Sequence, residues 1–302
     1  MAATPPIPAY ALQMRGVLYA LAATAIWGGN YIVARIVAGM VPPVTLSVFR
    51  WLGAICILLP FVLRPLLRDM PIIRAHLWYY LAISITGISA YTPLIYMAAA
   101  ETSVLNMTLI ATSTPVFTLI LARCFFNEPI TYKRLLGIAG AFAGIALLAA
   151  QGDMLLLLQL QFHKGDLLVL AASLGFAVYN ILVRYKPAGT DNNAFLAVTF
   201  VIGCAALLPF MAWELLSGAS VTLIASSLAA IGYLCIGPSI LGYWFWTRAI
   251  ASIGPANSSF IYYSLPLFSG IAALLLLGEP VLWMHVASGA LILSGIILAT
   301  KT

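Results

Sequence analysis

Residues 105–149 read LNMTLIATSTPVFTLILARCFFNEPITYKRLLGIAGAFAGIALLA, and residues 256–299 read ANSSFIYYSLPLFSGIAALLLLGEPVLWMHVASGALILSGIILA. Laid in one register, Pro115 falls on Pro266, Asn106 on Asn257, and Glu128-Pro129 on Glu279-Pro280. Further upstream, AATAIWGGNYIVAR (22–35) pairs with AASLGFAVYNILVR (171–184). Most of the chain is therefore an internal duplication. In so apolar a sequence, that is the pattern of a secondary transporter, whose binding site lies between two repeats.

The 302 residues are 63% hydrophobic and 7% charged, against about 25% charged in a soluble domain. So few charges cannot cover a water-exposed surface, so lipid must be the main solvent. Breaks at charges, Pro and Gly leave ten apolar segments: 15–38, 44–67, 74–98, 102–124, 131–150, 166–186, 192–215, 224–250, 255–277 and 282–300. All should be helices, because a backbone in hydrocarbon must satisfy its own hydrogen bonds and the alternation of barrel strands is missing. The expected fold is an all-α integral membrane protein of ten transmembrane helices in two five-helix repeats, 15–150 and 166–300. Five is odd, so the second repeat should sit inverted, with a pseudo-two-fold axis in the membrane plane. The stretch 151–165 reads either as a short interfacial helix or as an early start to the next span.

Ten spans put both termini on one side of the membrane. That side carries 11 of the 14 basic residues, leaving Arg35, Arg50 and Lys164 opposite. The positive-inside rule then places both termini in the cytoplasm. The stretch MAATPPIPAY reads as a mature tail, lacking the charged start and cleavage site of a signal peptide. The net charge of +6 does not indicate nucleic acid, because the basic residues lie between spans rather than on one soluble face. Cys56, Cys124, Cys204 and Cys235 stand singly in apolar segments and are expected to be small buried residues, without disulfide or metal. His76, His163 and His285 lie at span ends, and no enzyme motif or cofactor-binding loop is present. No catalytic residue, metal or cofactor is expected.

The first helix places Trp27, Asn30 and Tyr31 on one face. The matching helix does the same with Phe176, Tyr179 and Asn180. An amide in hydrocarbon needs a partner, so these faces should point into the bundle, lining a cavity or bonding neighbouring helices. The eighth segment carries Ser239, Tyr243 and Trp246 on a stripe; the ninth carries Asn257, Ser258, Tyr262 and Tyr263 before Pro266. The fourth has Asn106, Thr108 and Thr112 before Pro115, and the third has Tyr79, Tyr80, Tyr91 and Tyr96. The substrate-binding set is thus Trp27, Asn30, Tyr31, Tyr91, Asn106, Tyr179, Asn180, Tyr243, Trp246 and Tyr263. Trp51, Trp78, Trp213 and Trp283 are assigned to interfacial belts. Pro93, Pro115, Pro238 and Pro266 interrupt helical hydrogen bonding, and the repeat-matched Pro115 and Pro266 are expected to act as hinges or kinks. Gly140-x-x-x-Gly144 would allow close helix approach.

These blocks resemble the drug/metabolite transporter superfamily, in its ten-span exporter branch built from two EamA-type repeats. The resemblance rests on the polar starts Asn106 and Asn257, the prolines 115 and 266, the Asn-Glu-Pro and Gly-Glu-Pro motifs, Trp27-Gly28-Gly29-Asn30 before Arg35, and Arg50. It covers roughly residues 15–300. It implies a central cavity lined by the first, third, fourth, sixth, eighth and ninth helices, and export from the cytoplasm across the inner membrane by alternating access. Amino-acid and metabolite exporters, including exporters of aromatic amino acids and paraquat, are the most similar branch.

No Asp or Glu falls mid-span, which counts against strict proton/cation antiport. Arg50 and Arg248 come nearest the centre and are expected to snorkel to an interface. What remains is a neutral, aromatic cavity suited to a zwitterionic amino acid, with the ammonium on a ring face and the carboxylate on Asn and Tyr. Aromatic cations such as paraquat are the alternative cargo, and a scaffold without transport activity is a third reading. The expected partners are a small-molecule substrate and membrane lipid, and one chain suffices to close a cavity as a monomer.

Overall fold

The structure is a computed structural model describing residues 9–102, 104–150, 164–277 and 283–300. All regular structure among them is helical. The elements are α1 (Ala9–Ile36), α2 (Pro43–Ala75), α3 (Leu77–Ser84), a π-helical segment (Ile85–Ser89), α4 (Tyr91–Glu101), α5 (Val104–Ala111), α6 (Thr114–Phe126) and α7 (Tyr132–Ala149). They continue with α8 (Lys164–Arg184), α9 (Asn192–Leu216), α10 (Ala225–Leu234), a second π-helical segment (Cys235–Leu241), α11 (Gly242–Ile261), a 3-10 turn (Tyr262–Ser264), α12 (Leu265–Leu277) and α13 (Trp283–Thr300). Seven helical stretches among the described residues are long and apolar enough to cross a membrane. The chain is a multi-pass membrane protein. The segments 224–250 and 255–277 fall in one continuous stretch, Ala225–Ala272, which kinks where Gly254 turns to φ 81° and ψ 164° and tightens to a 3-10 turn at Tyr262–Ser264. The interfacial helix expected within 151–165 lies almost wholly outside the described residues.

Polar residues mark the helix ends. Asp191 caps α9, its carboxylate accepting from the Asn193 and Ala194 amides at 2.8 and 3.2 Å. Glu214, at the far end of α9, caps α2 instead, accepting from the Val44 and Thr45 amides at 3.1 and 2.8 Å. An acid at a span end thereby satisfies donors that hydrocarbon could not. Asp69 accepts from the Asp191 amide at 2.7 Å and from Arg68 at 2.8 Å. Asn127 ends α6 in the left-handed region at φ 54°, and the residue matched to it in the second block is Gly278, the residue type that tolerates such a turn best.

The halves interleave. α1 packs on α11, α4 on α8, α2 on α9 and α7 on α13. The α7–α13 crossing is very close: a Cβ on Gly137 would lie 2.6 Å from the Gly295 carbonyl, and one on Gly295 would lie 2.5 Å from the Gly137 carbonyl. Gly144 faces the Ser288 carbonyl at 2.8 Å in the same sense, so the Gly140-x-x-x-Gly144 stretch does lie in a close helix contact. Gly295→Leu should force the two backbones apart. Overpacking of this kind costs about 1–3 kcal/mol, read as a lower melting temperature of the detergent-purified protein; an unchanged melting temperature contradicts the crossing.

Two of the four cysteines depart from expectation. Cys204 and Cys235 are buried, but Cys56 and Cys124 are exposed. An apolar thiol facing hydrocarbon loses nothing by exposure, so burial is not needed. Trp78, Trp213 and Trp283 are exposed. Trp51 is not: it is fully buried, donates to Thr92 Oγ1 at 3.1 Å, and packs on Phe200 and Tyr243. The interfacial assignment fails because α2 starts at Pro43, placing Trp51 more than two turns inside the helix with its ring toward the bundle.

Candidate functional site

Both third-helix stretches of the duplication carry a π-helical segment in matching positions, Ile85–Ser89 and Cys235–Leu241. Such segments leave carbonyls outside the regular ladder and often mark functional sites. Here each offers a carbonyl to an aromatic side chain from the opposite half. Trp27 Nε1 donates to the Pro238 carbonyl at 2.9 Å, and the Tyr243 hydroxyl donates to the Gly87 carbonyl at 2.5 Å.

These two rings sit in one aromatic box. Trp27 lies 5.1 Å from Trp246, 5.4 Å from Phe176, 5.6 Å from Tyr243 and 6.2 Å from Tyr262, measured between ring centroids. Phe176 stacks on Tyr179 at 5.5 Å and 9°. Offset and edge-on geometries of this kind favour ring association beyond simple area burial. Trp246 donates to Asn180 Oδ1 at 2.8 Å, and Asn180 Nδ2 lies 3.2 Å from Ser259 Oγ and 3.4 Å from Thr118 Oγ1. The hydroxyls of Tyr31, Tyr91 and Tyr262 form a triangle with edges of 3.3–3.4 Å. The buried Tyr179 hydroxyl has no hydrogen-bond partner among the described residues.

Two cavities lie toward opposite ends of α1, with the box at a level between them. One of about 320 Å³ is lined by Ala34, Gly39, Pro43, Leu46, Tyr96 and Ser220. The other, of about 740 Å³, is lined by Gln13, Arg184, Lys186, Gly254 and Asn257 among others. They flank opposite ends of α1, about 33 Å apart at 1.5 Å per residue. Near the larger cavity, Glu128 receives Arg184 at 3.4 Å and Arg134 at 3.5 Å, joining the Asn-Glu-Pro motif to the C-terminus of α8.

Of the residues expected at the site, Trp27, Tyr179, Tyr243 and Trp246 meet in the box, with Asn180 beneath Trp246 and Tyr31 and Tyr91 in the hydroxyl triangle. Asn30 bonds Arg50 rather than the box. Tyr263 points elsewhere, its ring on Phe142 of α7 and its hydroxyl without a partner among the described residues. Tyr262, the first residue of the 3-10 turn at 262–264, takes the place expected for it, its ring 6.2 Å from Trp27. The signal was Ser259, which touches Asn180 three residues before Tyr262. Asn106 lies in α5, with its side chain outside the described set. Pro115 and Pro266 are each the second residue of a restarted helix, α6 and α12, after breaks at Thr112–Ser113 and Tyr262–Ser264. Asn257 lines the larger cavity. No His, Cys, Asp and Glu cluster among the described residues could hold a metal.

The expectation that no cation sits inside the bundle is overturned. Arg50 is buried to 1% exposure, donating from Nε to Ser239 Oγ at 2.6 Å and from Nη1 to Tyr96 and Asn30 at 2.8 and 3.1 Å. Its stem is too deeply enclosed by α1, α4 and the 235–241 segment to snorkel outward. Arg248 behaves differently, lying half-buried over the Trp244 ring at 3.7 Å.

The profile of the EamA-like transporter family matches residues 14–150 and again 163–301. The chain belongs to the EamA-like transporter family. Its relatives are named as transporters rather than enzymes, and their cargo is small molecules. It is 26% identical to a probable amino-acid metabolite efflux pump of Salmonella typhimurium, over 92% of each chain. It is also 26% identical to a probable terminal-alkyne amino-acid exporter of Streptantibioticus cattleyicolor, over 80% of this chain and 76% of that one. A solved crystal structure, 18% identical, superposes with a TM-score of 0.74 over 94% of this chain and 96% of that chain, a likeness of fold.

Proposed function

We propose that this EamA-family transporter exports neutral amino acids, chiefly aromatic and hydrophobic ones, and related metabolites from the cytoplasm by alternating access. The observation that carries this reading is the buried aromatic box flanked by a cavity at each end of α1. Along α1 the rings lie between the levels of the two cavities, where an occluded gate would sit. Their faces suit an ammonium or an aromatic side chain. The unpartnered Tyr179 hydroxyl supplies a buried donor that a substrate acceptor could satisfy. The related exporters of amino acids and their metabolites support the same cargo class.

The architecture proposed for this cycle is ten spans in two inverted repeats, 15–150 and 166–300, in the inner membrane with both termini cytoplasmic. The pairing of helices supports it: the α1–α11 and α4–α8 contacts would exchange under such a two-fold, and α2–α9 and α7–α13 would map onto themselves. Arg184 lines the larger cavity, and Arg35, matched to it in the duplication, follows Ala34 of the smaller one, which supports an inverted arrangement. The restarts at Pro115 and Pro266 would serve as hinges between opened and closed states, and one chain would complete the cavity as a monomer.

Uptake into liposomes containing the purified protein tests this directly, with Trp, Phe, Met, Thr and paraquat offered with and without a pH gradient. Amino-acid flux is expected, and with no carboxylate at mid-span it should persist without the gradient. Movement of paraquat with no amino acid would replace this reading with a cation exporter.

A further inference from the structure

Arg50 is a guanidinium buried to 1% exposure without a carboxylate partner among the described residues. An arginine does not deprotonate, so its charge persists inside the bundle. Burial of a charge without a counter-ion is unfavourable, and an intramembrane ionisable group is most often functional. The three hydrogen bonds it makes all go to neutral oxygens. Two of those oxygens are already committed as donors: Ser239 Oγ donates to the Leu234 carbonyl at 2.7 Å, and the Tyr96 hydroxyl leans to Asn30 Oδ1 at 3.4 Å. These bonds run through Nε and Nη1, leaving Nη2 without a hydrogen bond among the described residues. Glu214, the acid that α9 brings toward α2, is already taken by the α2 N-terminus. The group is also reachable: Leu46, one turn before Arg50, and Tyr96, its direct partner, both line the cavity of about 320 Å³. On the other side, Arg50 lies 4.7 Å from the Trp51 ring, which packs on Tyr243 of the aromatic box.

We infer that Arg50, held by Asn30, Tyr96 and Ser239, is the site that receives the carboxylate of the transported molecule. The inference deepens the export reading and rests on it for the identity of the cargo. The carboxylate of the substrate supplies the missing counter-charge, so an acid is selected over its amide, ester or amine. The zwitterion then spans two subsites, with carboxylate on Arg50 and ring among Trp27, Tyr243 and Trp246. The planar fork of Arg suits a carboxylate better than a lysine ammonium would.

The test is equilibrium binding by calorimetry to the full-length purified protein. The probes are tryptophan, tryptophanamide, N-acetyltryptophan (a carboxylate without ammonium) and tryptamine (an ammonium without carboxylate). Wild-type protein should bind tryptophan and N-acetyltryptophan at least about tenfold more tightly than tryptophanamide, the scale of a hydrogen bond to a charged group. Arg50→Gln should remove that preference without weakening tryptamine, whose ammonium no longer meets a buried like charge; Arg50→Lys should retain part of the preference. Equal wild-type affinity for the acid and the amide overturns the inference, as does Arg50→Gln binding N-acetyltryptophan like wild type, or a wild-type protein that binds no carboxylate probe. The acid–amide comparison needs no variant, so it decides the matter even where Arg50→Gln does not fold. Binding of N-acetyltryptophan without liposome flux would keep this inference and sink the export reading. Flux without an acid preference would do the reverse.

Discussion

Trp27→Ala is expected to cut amino-acid flux in liposomes to less than about a tenth of wild type. The ring touches four others in the box and anchors the second π-helical segment through the Pro238 carbonyl. Gly242 leaves room for this indole, since a Cβ there would collide with its nitrogen. Removing a buried Trp costs about 3–5 kcal/mol of packing, so melting temperature should fall as well. Trp27→Phe separates the two effects. It keeps a ring in the box but loses the hydrogen bond to Pro238, and it should hold most of the stability while lowering affinity for aromatic amino acids by about tenfold, the loss of one well-buried bond. Full flux in Trp27→Ala would remove the box from the transport path.

Gly87→Val is expected to have an effect of similar size from the other half of the molecule. A Cβ at Gly87 would collide with the Tyr179 ring, and the Gly87 carbonyl is the acceptor of the Tyr243 hydroxyl. The side chain must therefore push Tyr179 off Phe176 or straighten the π-helical segment, and either change opens the box. Overpacking costs about 1–3 kcal/mol, which should lower the melting temperature by several degrees and reduce flux by about tenfold. Wild-type flux and melting temperature in Gly87→Val would show that the segment tolerates both changes and is not part of the gate.

Helical membrane architecture was legible because lipid leaves the backbone few alternatives, so apolar length alone locates the segments. The duplication was legible because Pro115 and Pro266, with their Glu-Pro partners, share one register, and both prolines do start new helices. The box was legible on α1 and α8, where polar residues among apolar ones fix which face turns inward. It was less so on α2, where the sequence alone does not show whether Arg50 and Trp51 face the bundle or the interface. Their place near the start of the expected span 44–67 pointed to snorkelling, but α1, α4 and the 235–241 segment close over them. At Tyr262 and Tyr263 the difficulty was phase. A 3-10 turn begins at Tyr262, and the sequence does not show which of the two adjacent tyrosines faces the box.

A crystal structure of the protein with 5-bromotryptophan, located by the anomalous signal of its bromine, asks where the substrate sits. The bromoindole is expected between Trp27, Phe176, Tyr243 and Trp246, with the carboxylate toward Arg50. Bromine found only on the lipid-facing surface, or in a cavity with the box still closed on itself, would contradict the aromatic box as the substrate site.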